Sequence, residues 1–247
     1  MTLPAPVRIL DVGVHPVTRL QLIDILVEWA LGKYPRTAFH VNAHALNLAY
    51  QDREFRDCLD SSDLVYCDGF GAKWAARMLG HRLPDRMTPP DWIDDFLRLL
   101  PAEAPVFLLG DEAKVVSACA ELMTEKHRVL QMAGTHHGFF DSKGAENRHV
   151  SELISKSGAR VLLVGMGMPR QELWIESNLK SLNISVALPV GALFQYYAGA
   201  KRRAPRWITD HGLEWLGRLA HDPSQTFYRY VVGNPRFVAR VLRERLS

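Results

Sequence analysis

The 247-residue sequence has little of what marks a secreted, disulfide-stabilised or membrane-spanning protein. Its three cysteines are an odd number without a C-x-x-C spacing, which argues against a disulfide framework or a zinc site and fits a reducing compartment. The N-terminal stretch lacks the apolar core of a signal peptide. No stretch approaches about 18 uninterrupted apolar residues, so no spanning helix is expected. These absences predict a cytoplasmic protein that is soluble or lies on a membrane surface.

The net charge is only +3, but it is unevenly distributed along the chain. Residues 198–247 hold ten Lys or Arg and four Asp or Glu, a net of +6, so the first 197 residues carry −3. This asymmetry predicts that the C-terminal end meets an anionic partner. Nucleic acid is not favoured as that partner, because no nucleic-acid-binding signature accompanies the charge.

Short apolar, β-branched segments alternate with longer helical patterns, which predicts an α/β fold with a mostly parallel sheet. The predicted strands are Val7–Leu10, Thr37–Val41, Leu64–Tyr66, Val106–Leu109, Val129–Met132, Val161–Val164 and Ile184–Val190. The predicted helices between them are Thr18–Leu31, Ala43–Tyr50, Gly69–Leu79, Asp91–Leu99, Glu112–Lys126, Ala145–Ser155 and Pro169–Leu179.

After about residue 198 the strand pattern stops, and a helical pattern rich in arginine and aromatic residues follows. Pro205, Pro223 and Pro235 are expected to divide it into three short helices, because proline suits a first helical turn. We therefore predict an α/β core over residues 1–197 and a C-terminal appendage over residues 198–247.

Ligands of parallel α/β sheets bind beyond the carboxyl ends of the strands, so the residues just after each strand are the candidates. Asp68 follows one strand, where a carboxylate can serve as a general base or simply cap the next helix. Gly165 and Gly167 precede another helix, where backbone N–H groups suit a phosphate, although an ordinary tight turn explains them equally well. Arg170 stands where a dinucleotide-binding G-x-G-x-x-G needs glycine, which argues against a nicotinamide oxidoreductase.

Other polar residues have two interpretations each. Asn42 is placed to cap a helix or touch a ligand, and Gln171 to hydrogen-bond a base or a sugar. Arg86 fits phosphate oxygens or is a surface charge on a loop. The adjacent pair His136 and His137 invites a metal interpretation, but adjacent ligands point in different directions, so metal binding is disfavoured.

The segment Pro235–Leu246 is amphipathic in helical projection. Its apolar face carries Phe237, Val238, Val241, Leu242 and Leu246, its basic face carries Arg236, Arg240 and Arg243, and Arg245 falls within the apolar arc. A helix of this kind can lie in an anionic interface. Packing on its own domain is the alternative.

Taken in order, these segments resemble the WecG/TagA/CpsF glycosyltransferases, glycosyltransferase family 26. The matching stretches are Val41-Asn42, Asp63–Gly69, Arg86–Asp91, Phe107–Gly110, Gly134–Phe140, Gly165–Glu172, Val190-Gly191, Lys201–Pro205 and Gly212–Leu219. The resemblance covers nearly the full length. It rests on the ordered set of motifs, because each motif alone is weak.

The resemblance implies a Rossmann-like core and inverting transfer of a sugar from a UDP-sugar to a polyprenyl-pyrophosphate-linked saccharide. Relatives serve exopolysaccharide, capsule or cell-wall polymer synthesis. No metal or other cofactor is expected. The appendage is expected to bring the enzyme to the anionic inner face of the cell membrane, and self-association is a further expectation.

The family's functional positions carry over residue by residue. Asp68 matches the proposed catalytic base. The donor-binding positions are Asn42, Gly167, Arg170, Gln171, Gly191 and Gln195. The positions for the acceptor and its pyrophosphate are Arg86, Thr88, Arg218 and Arg229. His40 and His137 are further candidates.

Two of these positions depart from the family pattern, and they bear on which sugar is transferred. His40 stands where members often have threonine, and Gln195 stands where an aspartate is usual. The stretch Arg86–Trp92 is more similar to exopolysaccharide members, so the donor preference leans towards UDP-glucose. UDP-N-acetylmannosamine or its uronic acid is the alternative donor, and a non-catalytic nucleotide-sugar-binding module is the alternative from another class.

Overall fold

The structure is a computed structural model that describes residues 2–201 and 227–246. It is an α/β fold built on a parallel six-stranded sheet flanked by helices, which confirms the predicted class. The strands are β1 (Val7–Ile9), β2 (Val12–Val14), β3 (Arg36–Val41), β4 (Leu64–Cys67), β5 (Val106–Gly110), β6 (Met132–His136), β7 (Val161–Gly165) and β8 (Val186–Pro189). The α-helices are α1 (Arg19–Leu31), α2 (Ala43–Gln51), α3 (Arg53–Ser61), α4 (Phe70–Met78), α5 (Pro89–Leu99), α6 (Ala113–Lys126), α7 (Ala145–Lys156), α8 (Arg170–Asn178), α9 (Leu193–Tyr197) and α10 (Gly233–Leu246).

The order of the strands in the main sheet is β4-β3-β8-β7-β5-β6, and β1 and β2 form a separate antiparallel pair. Most neighbours pair along their length, as β5 and β7 do from Val106 to Gly110. By contrast, β3 pairs with β8 only at its start, through Arg36 with Val186 and Thr37 with Ala187. The seam between β3 and β8 therefore carries no ladder pairs near its carboxyl end, which is where such sheets form a ligand crevice.

Two apolar clusters cover the faces of the sheet. Side chains alternate along β3, so Phe39 and Val41 join the cluster beneath α2, α3 and α8, whereas Ala38 joins the cluster beneath α1, α5 and α6. All five residues of Val161–Gly165 are buried, as expected for a parallel strand covered on both faces. The core thus holds the strands rigidly and leaves their carboxyl ends to present polar groups.

Three local predictions were wrong or incomplete. β6 is Met132–His136 and not Val129–Met132, because Val129 is 61% exposed and lies before the strand. β2 was not predicted, since a three-residue strand is too short to show alternation. α3 was not predicted either, although the Asp52 side chain caps it by accepting the Phe55 N–H and starts it directly after α2.

The predicted division at Pro235 differs from the structure. A π-helical turn, Tyr228–Val232, runs directly into α10, so this stretch is one continuous helical segment. Pro235 therefore does not begin a separate helix and lies inside this continuous segment, as the third residue of α10. Pro205 and Pro223 lie outside the described residues. The boundary between core and appendage at residue 197 stays a prediction.

The amphipathic segment is divided between core and solvent. Phe237 and Val241 are buried, and α10 packs on α2 and α4. The Arg240 guanidinium lies 4.3 Å from the Tyr50 ring centroid and donates to the Asn47 carbonyl. Val238, Leu242 and Leu246 remain exposed. Packing on the domain therefore accounts for two of the five residues of the apolar face. No helix within the described ranges combines the length and apolar character of a membrane span.

Candidate active site

The carboxyl edge of the sheet carries two adjoining cavities. The small cavity, about 340 Å³, lies among α2, α4 and α10. The large cavity, about 570 Å³, lies at the ends of β5, β7 and β8. Five residues line both: Asn42, His44, Asp68, Thr88 and Arg229. The two cavities therefore meet at Asp68, the residue singled out from the sequence.

Asp68 follows β4 and is 8% exposed. Its backbone N–H donates to the Val41 carbonyl at 2.8 Å, which extends the pairing of β4 with β3 by one residue. Its Oδ2 accepts a hydrogen bond from Asn42 Nδ2 at 3.0 Å, and His40 Nε2 lies 3.9 Å from the same oxygen. Asp68 does not cap α4. The residue directly before the helix is Gly69, and no side-chain hydrogen bond caps this helix. The carboxylate is thus held in place by the adjacent strand and faces the cavities.

Asn42 fulfils its predicted role as a helix cap and also contacts Asp68, while its contact with a ligand stays a prediction. Its Oδ1 accepts the backbone N–H groups of His44 and Ala45 and so caps α2. Its Nδ2 is then directed to Asp68. The side chain at the end of β3 therefore fixes the start of α2 and the orientation of the carboxylate together.

His44 lines both cavities, although the sequence offered no reason to prefer it over a structural histidine. Burial, and after it the positive charge of Arg229, lowers the pKa of His44 to about 4. Its ring is therefore neutral at physiological pH and can donate or accept one hydrogen bond at each nitrogen. Only the packing of the C-terminal segment on α2 brings these two residues together.

Two of the predicted acceptor arginines lie in the described site. The Arg86 guanidinium is 3.3 Å from Asp91 Oδ2 and 5.4 Å from the Phe70 ring centroid, and it lines the small cavity. Arg229 lines both cavities, with its guanidinium 5.5 Å from the Tyr230 ring centroid. Thr88 is buried between the cavities. Arg218 lies outside the described residues.

The predicted donor-binding positions share the large cavity. Its lining includes Asn42, Gly167, Arg170, Gln171, Gly191 and Gln195. α8 begins at Arg170, directly after the glycine-containing turn that follows β7. Its N-terminal end therefore adjoins the cavity, where the helix dipole favours an anion, while the Gln171 N–H donates to the Gly167 carbonyl at 3.0 Å. The Arg170 side chain donates to the Phe140 carbonyl at 2.8 Å, which ties it to the neighbouring loop.

The histidine pair has a local role in the described structure. His136 and His137 stack with ring centroids 4.4 Å apart, and His137 Nδ1 accepts the Phe139 N–H at 3.3 Å. Gly138 and Phe139 line the large cavity, but His137 does not. Within the described ranges, no group of three or more His, Cys, Asp and Glu side chains is arranged to hold a metal ion.

Sequence comparison agrees with this arrangement. The model of the family described as "Glycosyl transferase WecG/TagA/CpsF family" matches residues 7–247. A protein of Staphylococcus aureus (strain MW2) is 28% identical over 221 residues, covering 88% of this chain and 85% of that protein. A protein of Bacillus subtilis (strain 168) is 25% identical over 205 residues, covering 83% and 78% respectively. Both are named N-acetylglucosaminyldiphosphoundecaprenol N-acetyl-beta-D-mannosaminyltransferase.

The family match spans nearly the whole chain, and Asn42, Asp68, Arg86, Gly167 and Gly191, which lie in motifs of the resemblance, line the two cavities that meet at Asp68. The chain therefore belongs to the WecG/TagA/CpsF family and is a glycosyltransferase.

Proposed function

We propose that this protein is an inverting glycosyltransferase that moves N-acetylmannosamine from its UDP-activated form to N-acetylglucosaminyl-diphosphoundecaprenol, with Asp68 as the general base. One observation carries the proposal: a buried carboxylate lies where two separate cavities meet. A transferase needs such an arrangement, because the acceptor hydroxyl must lie within reach of the base and also against the anomeric carbon of the donor. The names of the relatives support the sugar and the acceptor. They do not support the glucose donor favoured from the sequence.

In the proposed reaction one bond forms, one bond breaks and one proton is transferred. The acceptor hydroxyl oxygen forms a bond to the anomeric carbon as the bond from that carbon to the UDP oxygen breaks. The acceptor's proton passes to the Asp68 carboxylate, and the electron pair leaves with UDP. Attack from the face opposite the leaving group inverts the anomeric centre. Asn42 keeps the carboxylate directed at this junction.

The large cavity suits the donor. It is bordered by the N-terminus of α8, where the helix dipole favours an anion, and by the turns after β7 and β8, in which Gln171 already accepts the N–H groups of Gly167 and Gly191. Arg170 and Arg229 add positive charge to its lining. Positive groups placed where negative charge develops on the leaving UDP stabilise the transition state.

The small cavity suits the acceptor. Arg86 and Arg229 line it and offer guanidinium groups to a diphosphate, which they match in geometry. Phe70, Trp74 and Val238 border it and are partly exposed to solvent. An amphiphilic acceptor with a charged diphosphate and an apolar polyprenyl chain needs both kinds of surface.

The exterior beside the small cavity supports a peripheral position at the inner face of the cell membrane. We call it the α4–α10 surface: Phe70, Trp74, Val238 and Leu242, with Lys73, Arg77 and Arg82. The groove between α4 and the loop after it is lined by Phe70, Lys73, Trp74, Arg77, His81, Arg82, Leu83 and Pro84, with no acidic residue. Exposed aromatic rings beside cations are typical of surfaces that rest on anionic lipid. Self-association, independence from metal or other cofactors, and the absence of a nucleic-acid partner stay predictions.

Asp68→Asn tests the proposal. The amide nearly preserves the shape but cannot take the proton, so transfer should fall roughly 10²- to 10⁴-fold. The assay measures labelled sugar transferred to a short-chain lipid-diphosphate N-acetylglucosamine. Asp63→Asn is the matched control, since Asp63 is a partly buried carboxylate before the other end of β4, where it accepts the Thr37 N–H at 2.8 Å. Wild-type transfer by Asp68→Asn would contradict the base role.

The donor sugar is tested separately. UDP-N-acetylmannosamine and UDP-glucose are offered at equal concentration to the wild-type protein with the same acceptor. We expect product only from UDP-N-acetylmannosamine. Preferential use of UDP-glucose would overturn the donor assignment and leave the base role in place.

A further inference from the structure

Two consecutive polar side chains at the start of α8, Gln171 and Glu172, are completely buried, each with 0% exposure. Gln171 Oε1 accepts two backbone hydrogen bonds, from the N–H of Gly167 and from the N–H of Gly191, each at 3.1 Å. Gln171 Nε2 donates to Glu172 Oε1 at 2.7 Å. The carboxamide therefore makes three hydrogen bonds within the protein, two at its oxygen and one at its nitrogen.

The two glycines belong to different parts of the sheet edge. Gly167 lies in the turn after β7, and Gly191 lies in the turn after β8. Both have positive φ, +79° and +55°, and both line the large cavity. One carboxamide oxygen thus bridges the two turns and sets the distance between them.

The orientation of the Gln171 carboxamide follows from this pattern. Rotating it by 180° would place its NH₂ group against two N–H donors and its oxygen against the Glu172 carboxyl oxygen. Both sides favour the observed orientation, because two backbone N–H groups donate to Oε1 and the Glu172 carboxyl oxygen accepts from Nε2.

Glu172 has no comparable structural role of its own. Within the described ranges, Glu172 Oε2 has no hydrogen-bond partner, and burial raises the pKa of this carboxyl to about 7. Burying a carboxyl group that is only half satisfied disfavours folding. Among the described residues its one side-chain partner is Gln171, and its other hydrogen bond is to its own backbone N–H. A buried acid whose carboxyl bonds one other residue points to a role exerted through that residue.

We propose that Glu172 is a positioning residue of the donor site: it holds the Gln171 carboxamide so that the turns at Gly167 and Gly191 keep the spacing that receives the nucleotide diphosphate of the donor. The inference rests on the proposed function, which places the UDP-sugar in the large cavity. Gln171 then acts on the donor through these turns, and Glu172 acts through Gln171.

Substitution of Glu172 is expected to change donor affinity more than turnover, since Glu172 and Gln171 act through the turns and not on the reacting atoms. Glu172→Met removes the acceptor and leaves Gln171 Nε2 buried without a partner. The loss of one such bond corresponds to roughly tenfold weaker binding at the site that depends on it. We expect the Kd for UDP and the KM for the donor to rise about tenfold, with kcat changed less than about threefold.

UDP is the probe, and binding is measured by calorimetry on the full chain. Asn178→Ala is the matched control: Asn178 is a buried polar residue on the same helix that accepts from Asn147 and Ser151 and lines neither cavity. This control should unfold at a lower temperature and bind UDP as the wild type does. A folded Glu172→Met protein with wild-type UDP affinity would overturn the proposal.

A residue exchange keeps the test decisive if Glu172→Met fails to fold. Gln171→Glu alone sets two carboxyl groups against each other and should weaken UDP binding at least about tenfold. In the double variant Gln171→Glu/Glu172→Gln, the carboxylate at position 171 accepts the N–H groups of the two glycines, and the amide at position 172 donates to that carboxylate. This variant should therefore recover most of the affinity. Absence of recovery overturns the positioning role. Failure of the wild-type protein to bind UDP would instead count against the proposed function from which this inference starts.

Discussion

Asn42 Nδ2 donates to Asp68 Oδ2 at 3.0 Å, while Asn42 Oδ1 caps α2. The amide thereby joins the ends of two neighbouring strands through one side chain. Its two functions can be separated by substitution, because a shorter hydroxyl side chain still caps a helix but does not span the distance to the carboxylate.

We expect Asn42→Ser to keep the stability of the protein and lose activity. Serine caps helices about as well as asparagine, whereas Asn42→Ala removes the cap and should lower the free energy of unfolding by about 1 kcal/mol. Both variants leave Asp68 without its amide partner, so both should reduce kcat by a similar factor. Chemical denaturation and transfer assays measure the two effects. A serine variant with normal kcat would show that the hydrogen bond does not orient the base.

We expect Arg229→Gln to raise the pKa of His44. Burial is the larger cause of its low pKa, about 4, and the Arg229 charge is the second, so the value should rise but stay below 6.5. The native state binds fewer protons than the unfolded state between pH 4 and 6.5, so the free energy of unfolding rises with pH across this window, less steeply in the variant.

An NMR titration of the His44 ring measures this pKa directly. Arg236→Gln is the control, since Arg236 lies on α10 and bonds Tyr228 but is not a cause of the His44 shift. An unchanged His44 pKa in Arg229→Gln would contradict the contact that places Arg229 in the site.

Glu172 should make the protein less stable as the pH rises. Burial raises its pKa from 4.5 to about 7, so the native state binds more protons than the unfolded state within that window. The stabilisation is complete below pH 4.5 and is lost as the pH rises through about 7. At about 1.36 kcal/mol per unit, the change is roughly 3 kcal/mol. Cys58, Tyr66 and Glu176 are the titratable groups that share this environment.

The measurement is urea denaturation of the wild type and of Glu172→Gln from pH 4 to 8. The difference in unfolding free energy between the two proteins should change by roughly 3 kcal/mol over this range, so that the variant gains relative stability at high pH. A difference that stays constant with pH would contradict the raised pKa.

We expect the α4–α10 surface to bind anionic vesicles. Each cation near such a membrane contributes about 1 kcal/mol, so Arg77→Gln/Arg82→Gln should lower the partition coefficient onto phosphatidylglycerol vesicles roughly 30-fold. Trp74→Ser should weaken vesicle binding by a factor that does not depend on the salt concentration, because the lost contact is apolar. Arg53→Gln is the control, because Arg53 is exposed on α3, outside this surface. If all variants sedimented equally with the vesicles, the proposed contact of α4 with the membrane would be wrong.

Much of the sheet edge follows from the sequence. Apolar runs locate most strands within one or two residues, and parallel strands bring their carboxyl ends to one edge, so Asn42 and Asp68 are expected to be neighbours. The resemblance adds Arg86 and Gln171, and both line cavities.

The remaining features depend on tertiary packing that no local pattern encodes. His44 enters the site because the C-terminal segment packs across α2 and brings Arg229 to it. Gln171 has the right position in the sequence, but its engagement with two backbone turns depends on the distance between β7 and β8. β6 begins at Met132, later than predicted, where its pairing with β5 begins opposite Val106.

The short seam between β3 and β8 has a consequence for reaction geometry. Asp68 and Asn42 belong to the β3–β4 side of the seam, and Gly167 and Gly191 belong to the β7–β8 side. Among the described residues, the ladder pairs that join these sides in the main sheet are those at Arg36 and Thr37, at the end of the strands away from Asp68. The spacing between Asp68 and the turns at Gly167 and Gly191 can therefore change without breaking a ladder pair of the main sheet.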